Sequence, residues 1–229
     1  MSADESESAP RGRRARLRSN EAGAETRTRL LDAAERLFAE RSLDAVSVRD
    51  ITEMAGANTA SVHYHFGSKT ELIKSILERR AGVMGRRRAE LLDALEQRDQ
   101  IDLHSVAEAM VLPTAEMAAT GSGGQHYVAF LAALGTHTDL MTFLIKDYVD
   151  TDRYLEVLGR VTPHLTPELR VLRFAVAKDL VNRVLGQPAG QVHQWIEVQS
   201  PGADDEMVRS LTDIVVGIFA AEVSPPTGR

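Results

Sequence analysis

The sequence predicts an all-α protein: an N-terminal three-helix helix-turn-helix domain followed by a larger helical domain. Three observations lead there. Apolar residues recur at helical spacing along most of the 229 residues. Residues 47–69 set two short helices on either side of a glycine, then an aromatic and a lysine where the next helix starts. Charge is divided along the chain: residues 11–88 hold 17 basic and 10 acidic side chains although the whole chain carries −6. Positive charge therefore gathers around the short helices, and the remainder is acidic.

Four regions are expected: 1–24 as a disordered basic arm, 25–70 as the helix-turn-helix domain, 71–222 as the helical body and 223–229 as a tail. In the arm, Arg11, Arg13, Arg14, Arg16 and Arg18 follow no apolar period. Such an arm either lies in a DNA minor groove, where arginine favours the narrowed negative channel, or stays a solvated tail that adds nonspecific attraction. From Thr26 to Arg41, Leu30, Leu31, Ala34, Leu37 and Phe38 fall on one helical face. This first helix reads as scaffold.

Ser47 with Asp50 three residues on is a capping-box-like start for a second helix, whose buried face is Val48, Ile51, Met54 and Ala55. Gly56 follows the last periodic residue and ends that helix in a left-handed conformation. Asn58 caps a third helix, Thr59 to Tyr64, of about two turns, too short to stand without its neighbours. Ala60 and Val62 are expected inward, and Thr59, Ser61, His63 and Tyr64 outward. Hydroxyl, imidazole and phenol groups displayed this way suit base edges and phosphate oxygens. Phe66 packs back, Gly67 turns, and Ser68 with Lys69 opens a fourth helix whose N-terminus and ammonium suit a phosphate.

At this point the chain resembles a known family. Leu31-Asp32-Ala33-Ala34-Glu35-Arg36-Leu37-Phe38-Ala39-Glu40, Ser47-Val48-Arg49-Asp50-Ile51 and Tyr64-His65-Phe66-Gly67-Ser68-Lys69 are similar to the N-terminal domain of TetR-family transcriptional regulators. The resemblance runs from Thr26 to Leu72. It implies an all-helical homodimer whose third helix enters the major groove of a double-stranded DNA operator. It implies that Ser47, Tyr64 and Lys69 touch phosphates and that Thr59, Ser61 and His63 face bases. Arg49, Asn58 and His65 complete the expected DNA-facing set with Arg13, Arg14, Arg16 and Arg18. The family commonly has a basic residue where this chain has Thr59, and tyrosine where it has His63, so the operator is not inherited from a relative.

After Lys69 the helical period continues. Glu71 to about Gln97 forms a long helix in which Gly82 and Gly85 weaken the middle. Arg86, Arg87 and Arg88 are a solvated face or an anionic contact, the first being favoured. Leu103 to about Ala119 carries Pro113 and is expected to kink. Gly121 to Gly124 reads as a loop. Tyr127–Gly135, Leu140–Val149 and Thr151–Val161 read as helices, and Thr166-Pro167-Glu168 starts another that runs to Leu185. Residues 186–190 and 200–205 read as loops around Trp195, before a last amphipathic helix.

The resemblance assigns the helices 166–185 and 206–222 to a four-helix dimer interface, through Leu169, Leu172, Val176 and Leu180 and through Leu211, Ile214, Val215 and Ile218. Either stripe equally reads as ordinary core. It also implies a small-molecule effector between the fourth helix and those after it. Met110, Met117, Phe130 and Met141 are candidates to line such a pocket, with Phe143, Tyr148 and Phe174. At helical spacing these side chains are more often plain core.

Other classes are poorly served. The chain has no cysteine, so neither a thiol nucleophile nor a cysteine metal site is available. No phosphate-binding glycine loop, nucleophile elbow or helical zinc motif occurs. His104, His126, His137 and His164 lack paired ligand spacing. No catalysis, cofactor or metal is expected. Residues 1–10 are acidic and polar, without a signal-peptide core, and no apolar run approaches a membrane span, so the expectation is a cytoplasmic protein without membrane contact. The function expected is a homodimeric repressor released from a palindromic operator by a small molecule. The alternatives are an activator, a ligand-independent regulator, an enzyme or a helical interaction module.

Overall fold

The first helix, α1, is longer than the apolar pattern implied: it spans Arg11–Glu40. The computed structural model describes residues 11–134, 137, 139–140, 142–143, 149–187 and 204–224, and every regular element among them is helical. The arm expected to be disordered over 1–24 is therefore helical from Arg11 onward. Arginine, alanine and glutamate are strong helix formers, and no proline follows Pro10 until Pro113, so nothing stops the helix from growing outward from its anchored half. That anchored half starts at Leu30, where Leu30, Leu31, Ala34, Leu37 and Phe38 are all buried.

A short 3-10 turn, Leu43–Ala45, leads into α2 (Val48–Met54), α3 (Thr59–Phe66) and α4 (Lys69–Glu96). α4 runs unbroken through Gly82 and Gly85. The body adds α5 (Leu103–Ala118), α6 (Ser122–Ala133), α7 (Thr151–Val161), α8 (Pro167–Gly186) and α9 (Asp204–Ala220). No helix among the described residues is long and apolar enough to cross a membrane. The N-terminal helices and the body share one core: α1 packs on α6, where the rings of Phe38 and Phe130 stack with centroids 5.8 Å apart.

Two features of the body follow from backbone chemistry. Pro113 lies inside α5 and has no N–H for the carbonyl four residues back. That carbonyl belongs to Ala109, and the buried Tyr154 hydroxyl donates to it at 2.5 Å. Burial pushes the Tyr154 phenol up to about 12. Secondly, α6 starts at Ser122, so residues 121–124 are not all loop as expected. Gly124 sits against the end of α5, where a Cβ would collide with the Met117 carbonyl. Glycine here reflects close approach, not a break.

α8 and α9 each carry two apolar stripes. On α8, Phe174, Ala177, Val181 and Leu185 are buried, whereas Leu172 is 58% exposed and Val176 is likewise exposed beside half-buried Leu180. Leu169, a turn before Leu172, is half-buried too. On α9, Leu211, Val215 and Phe219 are buried and Ile214 is 53% exposed. Leu211 and Val215, expected at an interface, are thus core residues of a helix that packs on α5 and α8. Of the four expected on α9, Ile214 looks outward, and Ile218 is partly buried against the core.

Of the expected pocket lining, Met110, Met117, Phe130 and Phe174 are packed core side chains. Phe143 is half-buried under the Lys74 ammonium, 5.5 Å from the ring centroid. Met141 and Tyr148 lie outside the described residues. The Arg86–Arg88 run is not one solvated face: Arg87 pairs with Glu116 at 2.9 Å, and Arg88 is buried at 5% exposure.

Candidate nucleic-acid interface

α2 is fixed at both ends by its own sequence. The Ser47 backbone N–H donates to Asp50 Oδ2 at 2.8 Å, and the Asp50 N–H donates to Ser47 Oγ at 3.2 Å, a closed capping box. The Ser47 hydroxyl also donates to Asp50 Oδ2 at 2.6 Å. These bonds, that of the Ser47 side chain first, hold the Asp50 carboxyl below its ordinary value. At the other end Gly56 N–H donates to Glu53 O at 3.2 Å and Ala57 N–H to Thr52 O at 2.9 Å, with Gly56 at φ +59°. This turn needs a left-handed residue, which glycine supplies without strain.

α3 starts at once. Asn58 Oδ1 accepts the Ala60 N–H at 3.0 Å. Val62 and Phe66 turn into the core against the α1 side, leaving the opposite face open. Thr59, His63 and Tyr64 are exposed, and Ser61 and His65 are half-buried. Ala60, expected inward, is exposed as well. The helix is only eight residues long, and its buried positions are Val62 and Phe66, four apart. Tyr64 is 85% exposed, the most open of the large apolar side chains among the described residues. His63 Nδ1 lies 2.9 Å from the Gly67 carbonyl. Facing a carbonyl, Nδ1 carries the proton, so in the neutral ring Nε2 is left as an acceptor.

Lys69, expected to touch a phosphate, is engaged within the protein. Its ammonium donates to the Leu43 carbonyl at 2.5 Å and sits 5.7 Å from the Phe38 ring centroid. It therefore ties the start of α4 back to the 3-10 turn. The α4 N-terminus itself is capped by Ser68, whose hydroxyl accepts from the Glu71 N–H at 3.1 Å. Ser47, the other expected phosphate contact besides Tyr64, has its hydroxyl proton committed to Asp50. Arg49 and Asn58, at the starts of α2 and α3, are exposed.

Two basic residues missed by the sequence reading flank α3. Arg27 stacks over Phe66, its guanidinium carbon 5.0 Å from the ring centroid. A guanidinium nitrogen of Arg29 would lie 3.8 Å from a Cβ at Gly56, next to the turn. Gly23 lies beside His65 in the same way. The outer half of α1 thus runs along the end of the reading helix. The signal was the uninterrupted helix propensity of residues 11–29, which extends α1 to that edge. The backbone at Arg13, Arg14, Arg16 and Arg18 is helical, and their side chains lie outside the described residues.

A compact unit with this buried side, this capped turn and this open helix has a known counterpart. Residues 30–76 match the family described as bacterial regulatory proteins, tetR family. The N-terminal domain of this chain is thus a tetR-family domain. The transcriptional regulator TtgR of Pseudomonas putida is 32% identical over 85 residues, 37% of this chain and 39% of TtgR. The repressor KstR2 of Rhodococcus jostii is 51% identical over 51 residues, 22% of this chain and 25% of KstR2. The chain thus spans well under half the length of these curated relatives. The solved structure of "Probable transcriptional regulatory protein RHA5900" aligns at a TM-score of 0.53 and 24% identity, over 85% of this chain and 99% of that one. It shares the TetR-like fold, including the larger helical region after the N-terminal domain. The N-terminal unit is a TetR-type helix-turn-helix DNA-binding domain, and its α3 is the helix that the surface leaves free.

Proposed function

We propose that this protein is a homodimeric transcriptional repressor that acts in the cytoplasm, binds a palindromic operator through α2 and α3, and lets go when a small molecule enters its body. The exposed face of α3 carries this reading: Thr59, Ala60, His63 and Tyr64 open to solvent on a helix whose Val62 and Phe66 are buried. In this proposal Thr59, Ser61 and His63 meet base edges. Tyr64, Arg49, Asn58 and His65 contact the phosphate backbone with Arg27 and Arg29. Arg13, Arg14, Arg16 and Arg18 extend the basic surface along the outer turns of α1. Lys69 and Ser47 hold the helix starts in place behind them. Base contacts specify sequence and phosphate contacts fix register.

The apolar residues left open on α8 and α9, Leu172, Val176 and Ile214, support a two-fold dimer in which these helices meet their copies. A dimer gives two α3 helices about one DNA turn apart, on the order of 34 Å, which suits a palindrome. Coupling between an effector and DNA in such proteins is typically about 1–3 kcal/mol. The domains expected from the sequence serve these roles: 25–70 for reading, 71–222 for dimerisation and effector binding.

A gel-shift with the DNA upstream of the protein's own gene tests the proposal. The protein should shift a palindrome-containing fragment, and the logarithm of affinity should fall linearly with the logarithm of salt concentration. Failure of the folded dimer to shift that fragment at low salt would overturn it.

A further inference from the structure

Two neighbours on the open face of α3 present different chemistry side by side. His63 offers an imidazole and Ala60 a bare methyl, and both are exposed. Residues three apart on a helix lie next to each other on its surface.

The imidazole is held in one orientation by the end of its own helix. The Gly67 N–H donates to the His63 carbonyl at 3.0 Å, and His63 Nδ1 lies 2.9 Å from the Gly67 carbonyl. Gly67 stands at φ +80°, a turn that glycine makes without side-chain strain. The two residues thus hold each other by two hydrogen bonds, and the ring cannot turn without breaking one. Nδ1 carries the proton, because two lone pairs facing each other repel. Nε2, across the ring, has no partner among the described residues. The neutral ring therefore shows the groove a lone pair and no donor. The other histidine of α3 is used differently: His65 packs edge-on to Tyr64 at 4.9 Å between centroids and lies 6.2 Å from Phe66.

A fixed acceptor chooses its partner. In the major groove adenine N6 and cytosine N4 donate, whereas guanine N7 and O6 and thymine O4 only accept and would repel the lone pair. The methyl beside it then separates the two amino bases. An A·T pair shows both the amino group and the thymine C5-methyl, which an alanine side chain contacts well; a G·C pair has no methyl. We propose that His63 and Ala60 together read one A·T pair in each half-site of the operator, with Nε2 accepting from adenine N6 and the Ala60 methyl packed on the thymine methyl. This rests on the reading of α3 given above and names the base pair it selects. Because the ring is already fixed, little side-chain freedom is lost on binding.

Selection of operators from randomised DNA by the full-length protein at pH 8, where an ordinary imidazole is neutral, supplies the material for the test. Each adenine of the half-site is then replaced in turn by 2-aminopurine, which still pairs with thymine but carries its amino group in the minor groove. Each thymine is replaced by uracil, which lacks the methyl. At one adenine the replacement should weaken binding about fivefold, as for one hydrogen bond. Uracil opposite that adenine should weaken it about threefold, as for one methyl. His63→Ala should abolish the first loss and Ala60→Gly the second. The inference is overturned if 2-aminopurine is tolerated at every adenine, if the uracil opposite costs nothing, or if His63→Ala keeps the 2-aminopurine loss, which would leave His63 as a cap for the end of α3. The base replacements use the unmodified protein, so they hold even if a variant misfolds. Recovery of no operator at all sinks the regulator reading; an operator indifferent to 2-aminopurine sinks this inference alone.

Discussion

Glu35 of α1 and Arg80 of α4 form a two-pronged pair, with Nε–Oε1 at 3.0 Å and NH2–Oε2 at 3.3 Å, and Glu35 is only 2% exposed. Arg79 joins the same carboxylate at 2.5 Å and reaches Asp32 at 2.7 Å. Desolvation opposes the Arg79 charge, but these carboxylates outweigh it and raise the guanidinium above its ordinary value. Replacing Glu35 with glutamine keeps the shape and removes the charge. Both arginines are about a quarter exposed, so the loss is smaller than for a fully buried pair, about 2 kcal/mol. Chemical denaturation of Glu35→Gln should show it as a lower midpoint at unchanged slope.

Gly186 closes α8 against α6. A Cβ there would lie 2.6 Å from the Val128 carbonyl oxygen and 2.7 Å from the Ala129 nitrogen, both backbone atoms that have no rotamer to turn away. Gly186→Ala should cost about 2–3 kcal/mol through forced separation of the helices. Thermal unfolding would read this directly, with Gly217→Ala as the control, since an added Cβ there meets nothing within 4 Å.

Lys69 and His63 should fail differently. Lys69→Ala removes the bond to the Leu43 carbonyl, so stability should fall by about 1.5–3 kcal/mol, the range for a hydrogen bond to a charged group. DNA affinity should drop alike on all operators. His63→Ala should leave the fold intact and relax the preference at one base position by about 1–3 kcal/mol. Selection from randomised operators, run beside thermal unfolding, distinguishes them; a shift in preferred sequence from Lys69→Ala would contradict this division.

Lys178 predicts a pH trend in the ligand-free protein. Its ammonium donates to the Met110 carbonyl of α5 at 3.3 Å. Burial holds its folded-state value well below the ordinary 10.5, so between the two values the unfolded chain holds the extra proton. Stability therefore rises with pH through that window and levels off above 10.5. Subtracting the Lys178→Met profile from the unmodified one, each by denaturant titration from neutral to alkaline pH, should isolate the rising limb. A difference that is flat or falls with pH would refute it.

Much of the fold was legible because caps and periods agree locally. Ser47 with Asp50, Gly56, Asn58 and Thr166-Pro167 mark ends that the structure keeps. What was hidden has physical reasons. The outer half of α1 has helix propensity without an apolar face, so periodicity does not detect it. On α9, Leu211 and Ile214 look alike in sequence, and only tertiary packing decides which stripe is core. In α3 the open face was readable from residue type, but Ala60 was not, because a small apolar side chain suits either side. Lys69 and Lys178 were beyond reach, since a pattern places charges outside and cannot see a carbonyl waiting within. Arg27 and Arg29 join the surface around α3 only because α1 passes there.

The 28 continuous residues of α4 make a rod of about 42 Å, and Arg88 stands about 28 Å along it from Lys69. A stiff rod of that length works as a lever. A tilt of about 5° pivoting near Arg88 swings the Lys69 end by about 2.5 Å, comparable to a hydrogen-bond length. Small crowding deep in the body is thereby magnified at the far tip, beside the open helix α3.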